Sequence, residues 1–130
     1  MMISQLKLSD FTSSQISNTI IGTCDRPASI IFSDEYLTAI ALFDFMPGII
    51  VGMHSHDELC ITFLQTGKLK FSLNGNEVII NQGEIIVILP HTPHSLEVIS
   101  DTPARIGEIK QFKTKESFDT FKAKVENQTT

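Results

Sequence analysis

The stretch PGIIVGMHSHDELCITFLQTG, residues 47–67, places two histidines one residue apart between two glycines. Successive side chains of a β-strand point to opposite faces, so His54 and His56 share a face and lie about 7 Å apart along the strand. One metal ion can bridge two imidazoles placed in this way. A third ligand must then come from another strand. His94 is the natural candidate, because His91 falls in a predicted turn.

On both sides of this stretch the chain reads as short strands separated by turns. Segments rich in β-branched and aromatic residues follow one another between residues 29 and 112, and Gly, Pro and Asn residues separate them. The pair Asn74-Gly75 is a strong hairpin signal. Leu69 and Phe71 alternate with polar neighbours, as in a half-buried strand. Strands of this length and spacing predict an all-β sandwich or barrel.

The last segment has a different period. Phe118, Phe121 and Val125 are three and four residues apart with charged residues between them, which predicts one amphipathic helix near residues 114–125. The predicted organisation has three parts: an N-terminal arm or strand over residues 1–27, a barrel over residues 28–112, and a C-terminal helix and tail over residues 113–130.

The spacing of the histidines and glycines resembles the two motifs of the cupin superfamily, in the small single-domain form. In the first motif Gly48, His54, His56 and Gly67 match in place, whereas Cys60 stands where the motif has glutamate. The second motif is degenerate but correctly spaced. Its glycine and histidine match, and three other positions differ: Gly83 and His94 are the matches, and Leu89, His91 and Val98 replace proline, glycine and asparagine. The resemblance covers roughly residues 37–112.

This resemblance implies an all-β fold, the double-stranded β-helix jelly-roll barrel, here followed by a short C-terminal α-helix. It also implies a divalent metal ion inside the barrel, with Fe, Zn, Ni and Mn as the open choices. The implied ligands are His54, His56 and His94, with the residue at position 60 as a possible fourth. The implied chemistry includes dioxygenase, isomerase and lyase reactions on small organic molecules, and fold alone does not choose among them.

Cys60 is the departure with the largest chemical consequence. Loss of the carboxylate weakens a non-haem Fe(II) assignment, and a thiolate ligand would favour zinc or another thiophilic metal. We expect Cys60 to be a buried neutral thiol beside a three-histidine site, since buried free cysteine commonly behaves as a small hydrophobe. A second possibility is that Glu58 swings inward as the fourth ligand, although Glu58, like Asp57 and Glu97, is expected to be solvated.

Four further residues are candidates for the lining of the pocket. Thr62 and Gln65 are expected to share the face of Cys60 on its strand, and Phe43 and Phe45 lie on the preceding strand. No separate general base stands out, so catalytic residues are not assigned and enzymatic activity remains an open question. The alternative to a metal-dependent enzyme is a non-catalytic cupin that binds or senses a metal or a small molecule. A weaker alternative is a structural dimer with a vestigial site.

Composition narrows the partners. Ten basic and fifteen acidic residues give a net charge of −5, which disfavours nucleic-acid binding, because such binding depends on basic residues that neutralise phosphates. No apolar run approaches the ~18 residues of a membrane span, and the N-terminus does not read as a secretory signal. Two cysteines form no disulfide framework and favour a cytoplasmic location.

The run EIIVIL, residues 84–89, predicts the oligomeric state. It is apolar on both faces of the strand, whereas a strand at the surface of a single barrel needs only one apolar face. The second face is therefore expected to be covered by another copy of the chain or by a second sheet. The sequence predicts a homodimer that binds a small molecule and associates with neither nucleic acid nor membrane.

Overall fold

The computed structural model describes residues 12–21 and 24–126, with side chains from residue 30 onward. Within these ranges, ten strands precede one helix. Their bounds are β1 Thr12–Ile21, β2 Cys24–Ser33, β3 Thr38–Phe45, β4 Ile50–His54, β5 Leu59–Thr66, β6 Lys68–Leu73, β7 Asn76–Asn81, β8 Ile85–Ile88, β9 His94–Val98, β10 Ala104–Gln111 and α1 Lys115–Glu126.

The strands form two antiparallel sheets. The six-stranded sheet has the order β1-β2-β3-β10-β5-β8, and the four-stranded sheet has the order β4-β9-β6-β7. Strand β10 therefore lies between β3 and β5, although these strands are far from it in sequence. The fold is the all-β jelly-roll barrel with a C-terminal helix that the sequence predicts. Within the described residues, no helix is long and apolar enough to cross a membrane.

Buried side chains at alternate positions of the strands fill the space between the two sheets. In β3 the buried residues Ala39, Ala41, Phe43 and Phe45 alternate with side chains that are half-buried or exposed. Strand β5 buries every second residue from Cys60 to Leu64 in the same way. Each large apolar side chain buried here contributes about 1.5–3 kcal/mol relative to exposure. These buried apolar side chains make one end of the interior apolar. The buried polar side chains described below are the exceptions.

The C-terminal helix is present where the spacing of its apolar residues predicts it. Thr114 caps its first turn, since its side-chain oxygen accepts a hydrogen bond from the backbone N–H of Ser117 at 3.1 Å. Phe118 is fully buried and packs edge-on against Phe32 and Phe112, with ring centroids 6.1 and 5.7 Å apart. The helix is therefore docked on the barrel through its aromatic stripe.

The predicted boundary at residues 27 and 28 falls inside β2, which pairs with β1 on one side and β3 on the other. The division of the chain into three parts stays a prediction. The side chain of Cys24 lies outside the described residues.

Candidate metal centre

Three histidine rings converge inside the barrel. His54 at the end of β4 is directly opposite His94 at the start of β9, and their ring centroids are 4.2 Å apart. His56 follows two residues after His54, with its ring 5.6 Å from that of His54 and 4.8 Å from that of His94. The predicted convergence of these three residues is confirmed. The side chain of His91 is exposed in the turn that the sequence predicts, and its backbone N–H donates to the carbonyl oxygen of His56 at 2.8 Å.

The separations suit one ion. One ring nitrogen from each histidine can be chosen so that all three lie within 4.8 Å of one another. Two nitrogens bound at about 2.1 Å to the same zinc-like ion in tetrahedral geometry are ~3.4 Å apart. The widest pair would therefore close by roughly 1.4 Å on binding an ion.

Backbone carbonyls orient two of the rings. Nδ1 of His54 lies 2.8 Å from the carbonyl oxygen of Gly52, and Nδ1 of His94 lies 2.8 Å from the carbonyl oxygen of Thr92. A carbonyl can only accept, so each Nδ1 carries the proton and donates it. The same two rings then present an unprotonated Nε2, which is the arrangement that metal-ligating histidines commonly show.

His56 has a carboxylate as its neighbour instead. Its Nδ1 lies 3.3 Å from Oε1 of Glu58. The contact lacks hydrogen-bond geometry, so Nδ1 of His56 is buried without a hydrogen-bond partner among the described residues. Glu58 also accepts a hydrogen bond from Nζ of Lys110 at 3.2 Å. The side chain of His56 thus lies next to the buried ion pair of Glu58 and Lys110.

The site favours neutral imidazoles. Burial lowers the pKa of His56 to about 4, and the positive charge of Lys110 acts in the same direction. Burial also lowers the pKa of His94, against the effect of its hydrogen bond to Thr92. Neutral imidazole is the form that binds a metal, so these two residues need not lose a proton at pH 7 to become ligands.

Cys60 is a buried thiol, 2% exposed, with its sulfur 3.6 Å from the hydroxyl oxygen of Thr62. Burial raises its pKa to about 12, and the nearby Glu108 adds to this effect. The thiol is therefore neutral in the metal-free protein. Whether Cys60 or Glu58 binds an ion stays a prediction.

The expectation that Glu58 is solvated is wrong. Its side chain is 4% exposed, because Lys110 supplies a counter-charge inside the barrel. Asp57 is exposed, as expected, and accepts a hydrogen bond from Ser117 at 2.6 Å. Glu97 is half-buried and lies 3.5 Å from Nζ of Lys70, outside the histidine cluster.

The candidate pocket residues divide into two groups. Thr62, Phe43 and Phe45 are buried, and the two phenylalanine rings stack with centroids 5.7 Å apart. The expectation that Gln65 shares the face of Cys60 is wrong. Gln65 lies five positions after Cys60, so strand alternation puts its side chain on the opposite, exposed face. The role of the three buried residues as pocket lining stays a prediction.

Sequence reasoning missed two charged residues of the interior. Glu108 and Lys110, both on β10, are 7% and 8% exposed. In register, Glu108 is opposite Thr62, and Lys110 is opposite Cys60. The signal was present, because two charges separated by one apolar residue share a face of a strand. Strand β10, however, carries apolar residues on both faces, so its sequence does not say which face is inside.

Comparison with known proteins agrees with the fold and the motif. The cupin domain family matches residues 41–110, and no curated protein matches the chain significantly.

A predicted oxalate decarboxylase from Thermotoga maritima has a similar structure, with 24% identity, 84% of this chain and 99% of that chain covered, and a TM-score of 0.65. A cupin 2 conserved barrel domain protein from Salinispora arenicola is 16% identical over 95% of this chain and 97% of its own, with a TM-score of 0.64. KdgF from Halomonas is 16% identical over 69% and 82%, with a TM-score of 0.58. These identities support a shared fold alone. Because the family match spans more than half of the sequence and the barrel and histidine pattern agree with it, the chain belongs to the cupin family.

Proposed function

We propose that this cupin binds a divalent metal ion through His54, His56 and His94 and acts on a small organic molecule inside the barrel. The observation that carries the proposal is the orientation of the rings. Nδ1 of His54 and of His94 donates to a backbone carbonyl, and Nδ1 of His56 is held beside Glu58. Three Nε2 atoms are therefore available to one ion, with Fe, Zn, Ni and Mn as the candidates.

A bound ion would supply Lewis acidity, or open positions for a substrate or dioxygen. The residues of the chain have separate tasks. Glu58, which accepts from Lys110, lies beside the ring of His56, and the backbone carbonyls orient the other two rings. Cys60 and Thr62 place two small, uncharged side chains on the same inward face of β5. Dioxygenase, isomerase and lyase reactions all remain compatible with this arrangement.

One observation favours a non-catalytic alternative. Position 60 carries a neutral buried thiol where the family motif has a carboxylate, so the motif's own acidic group is missing. A barrel of this kind would bind or sense a metal or a small molecule without turnover.

The two proposed functions differ in whether the metal is needed to bind and to convert a small molecule. We suggest a small-molecule screen, by thermal shift, of tag-free protein without metal and after loading with Fe²⁺, Mn²⁺, Ni²⁺ or Zn²⁺, followed by oxygen-uptake and product assays on the hits. The proposal predicts hits that bind only the loaded protein and are converted. Hits that bind the metal-free protein equally well, without conversion, would support the non-catalytic alternative.

We also propose that the protein is a homodimer, formed through the outer face of the six-stranded sheet. Directly paired residues build an apolar row across five strands of this face. The row consists of Ile31, Ile40, Ile109, Ile61 and Val87. A second row beside it contains Leu42, Gly107, Phe63 and Ile85. These rows carry no charge, although the chain as a whole has a net charge of −5.

A second copy is the occupant that fits this face. Ile85, Val87 and Leu42 are 62%, 51% and 49% exposed, while Ile86 and Ile88 are buried inside. Two acidic chains repel each other unless they meet through an uncharged surface, and a flat apolar face can be complementary to itself about a two-fold axis. Continuous exposed apolar surface of this kind commonly marks a protein interface.

Light scattering on wild type and two variants tests the dimer. Wild type should be dimeric at tens of micromolar, and Val87→Lys should be monomeric and folded. Ile79→Lys, a substitution at an exposed residue of the other sheet, should remain dimeric. A monomeric wild type would contradict the proposal. A cytoplasmic location, predicted from the two cysteines, completes the proposal.

A further inference from the structure

Strand β10 brings two opposite charges into the interior. Glu108 and Lys110 alternate with Gly107 and Ile109, so they share one face, and that face is the inner one. Taking a charge out of water costs several kcal/mol even after relaxation, unless a partner or a ligand compensates for it. Glu108 and Lys110 are each less than one-tenth exposed in a largely apolar barrel. Each of these charges must therefore be compensated by a partner or by a ligand.

The pairing between these charges is incomplete. Nζ of Lys110 donates to Oε1 of Glu58 at 3.2 Å. The same Nζ lies 3.5 Å from Oε2 of Glu108, without hydrogen-bond geometry, and this oxygen has no hydrogen-bond partner among the described residues. Lys110 thus donates a hydrogen bond to Glu58 and is only ion-paired with Glu108, whose Oε2 accepts no hydrogen bond from the described residues.

The unused acceptor lies beside the position that the motif reserves for an acid. Glu108 sits between Thr62 on β5 and Ala41 on β3, and the adjacent inward row places Lys110 next to Cys60. Thr62 and Ala41 are small, so neither fills the space around the carboxylate. Lys110 connects Glu108 to the cluster, because its Nζ lies 3.5 Å from Oε2 of Glu108 and 3.2 Å from Oε1 of Glu58, and this Oε1 lies 3.3 Å from Nδ1 of His56. Glu108 and the histidine cluster therefore belong to one chain of polar contacts.

We propose that Glu108 is the charge-compensating carboxylate of the metal centre, supplied by β10 in place of the glutamate that position 60 of β5 lacks. This inference rests on the proposed metal site. Three neutral imidazoles leave the double positive charge of the ion uncompensated, whereas Glu58, Lys110 and Glu108 together carry one surplus negative charge. Glu58 and Glu108 are the buried carboxylates of the described interior, and Oε2 of Glu108 is a buried carboxylate oxygen that no hydrogen bond uses.

The test is the affinity of tag-free, metal-free protein for Zn²⁺, measured by competition with a chromophoric chelator. Glu108→Gln should weaken binding ten-fold or more, in the range expected when a carboxylate that supports a metal site is lost. Glu97→Gln is the matched control. It makes the same change of net charge on the strand that carries His94, outside the cluster, and should stay within two-fold of wild type. Thermal unfolding of the metal-free Glu108→Gln protein should remain close to wild type, which a purely structural role would not predict.

The outcomes separate the two proposals. Wild type that binds Zn²⁺ and Glu108→Gln that binds it within two-fold would overturn the role of Glu108 and leave the metal site standing. Wild type that binds no divalent ion would overturn both. If Glu108→Gln does not fold, Glu108→Asp decides. This variant keeps the charge but shortens its reach, so it should weaken binding at least three-fold, and unchanged affinity would contradict the inference.

Discussion

Lys110 and Glu58 form an ion pair inside the barrel, with Nζ 3.2 Å from Oε1 and side chains 11% and 4% exposed. The pair joins the middle of the six-stranded sheet to the turn that carries His56. Burial alone would lower the pKa of Lys110, but the negative charges of Glu108 and Glu58 raise it. The lysine is therefore charged, and its removal leaves two carboxylates without their cation.

Lys110→Met should destabilise the metal-free protein by about 3–5 kcal/mol, because it leaves uncompensated buried charge. Adding Glu58→Gln to this variant should restore part of the loss, since one of the two carboxylates is then neutral. Urea unfolding at pH 7 measures both. A loss below about 1 kcal/mol for the single variant would show that the pair is not buried as described.

Cys60→Ser should leave the Zn²⁺ affinity within about two-fold of wild type, because the thiol is neutral and acts as part of the wall. The same state predicts chemical inertness. In a Cys24→Ser background, the remaining thiol should react with a disulfide reagent at pH 8 at least 100-fold more slowly in the folded protein than in urea. A ten-fold loss of metal affinity, about 1.4 kcal/mol, would instead identify Cys60 as a ligand.

The metal-free protein should lose stability as the pH falls from 6.5 to 4. The pKa of His56 is about 4 in the folded protein and 6.5 in the unfolded chain. Between these values the unfolded chain binds a proton that the folded protein does not, so unfolding is favoured as protons are added. After an allowance for the partial exposure of the ring, the loss should be about 2 kcal/mol.

Urea unfolding in chelator at several pH values measures this dependence, and His56→Gln serves as the control. The variant should show a clearly smaller loss between pH 6.5 and 4, with the remainder coming from His94. Equal slopes for the two proteins would mean that the ring of His56 is not desolvated.

Gly67→Ala should be more destabilising than Gly75→Ala, although both glycines have positive φ, +91° and +87°. A Cβ at residue 67 would lie 2.8 Å from the backbone Cα of Ala104, whereas nothing lies within 4 Å at residue 75. The shared backbone strain should cost about 1 kcal/mol in each variant, and the contact should add about 1–3 kcal/mol at residue 67. Thermal unfolding of the two variants side by side provides the comparison. Equal losses would exclude the contact.

Local rules explain what the sequence could predict. Strand parity predicts that His54 and His56 face the same way, and their rings lie together although β4 ends at His54. Motif spacing is enough to identify His94 as their partner. The turn at Asn74-Gly75 and the apolar spacing of α1 are equally local signals. Gln65 follows the same rule, since it lies five positions after Cys60 and this odd offset puts it on the opposite, exposed face.

The environment of Glu58 and Glu108 could not be predicted in this way. Their burial depends on Lys110, which pairs with Glu58 across 52 positions of the chain. The pairing exists because β10 is inserted between β3 and β5 with its charged face inward. The apolar content of β10 is similar on both faces, so only tertiary structure decides which face is buried. The charge distribution of the site is therefore a property of the topology.

Equilibrium dialysis of tag-free protein against Zn²⁺ or Mn²⁺, followed by elemental analysis, tests the central claim most directly. Wild type should hold one ion per chain, and His54→Ala, His56→Ala and His94→Ala should each lose most of it under the same conditions. His91→Ala, which removes the histidine outside the cluster, should bind like wild type. An ion content near zero in wild type, or equal content in wild type and His94→Ala, would contradict a metal centre built on these three histidines.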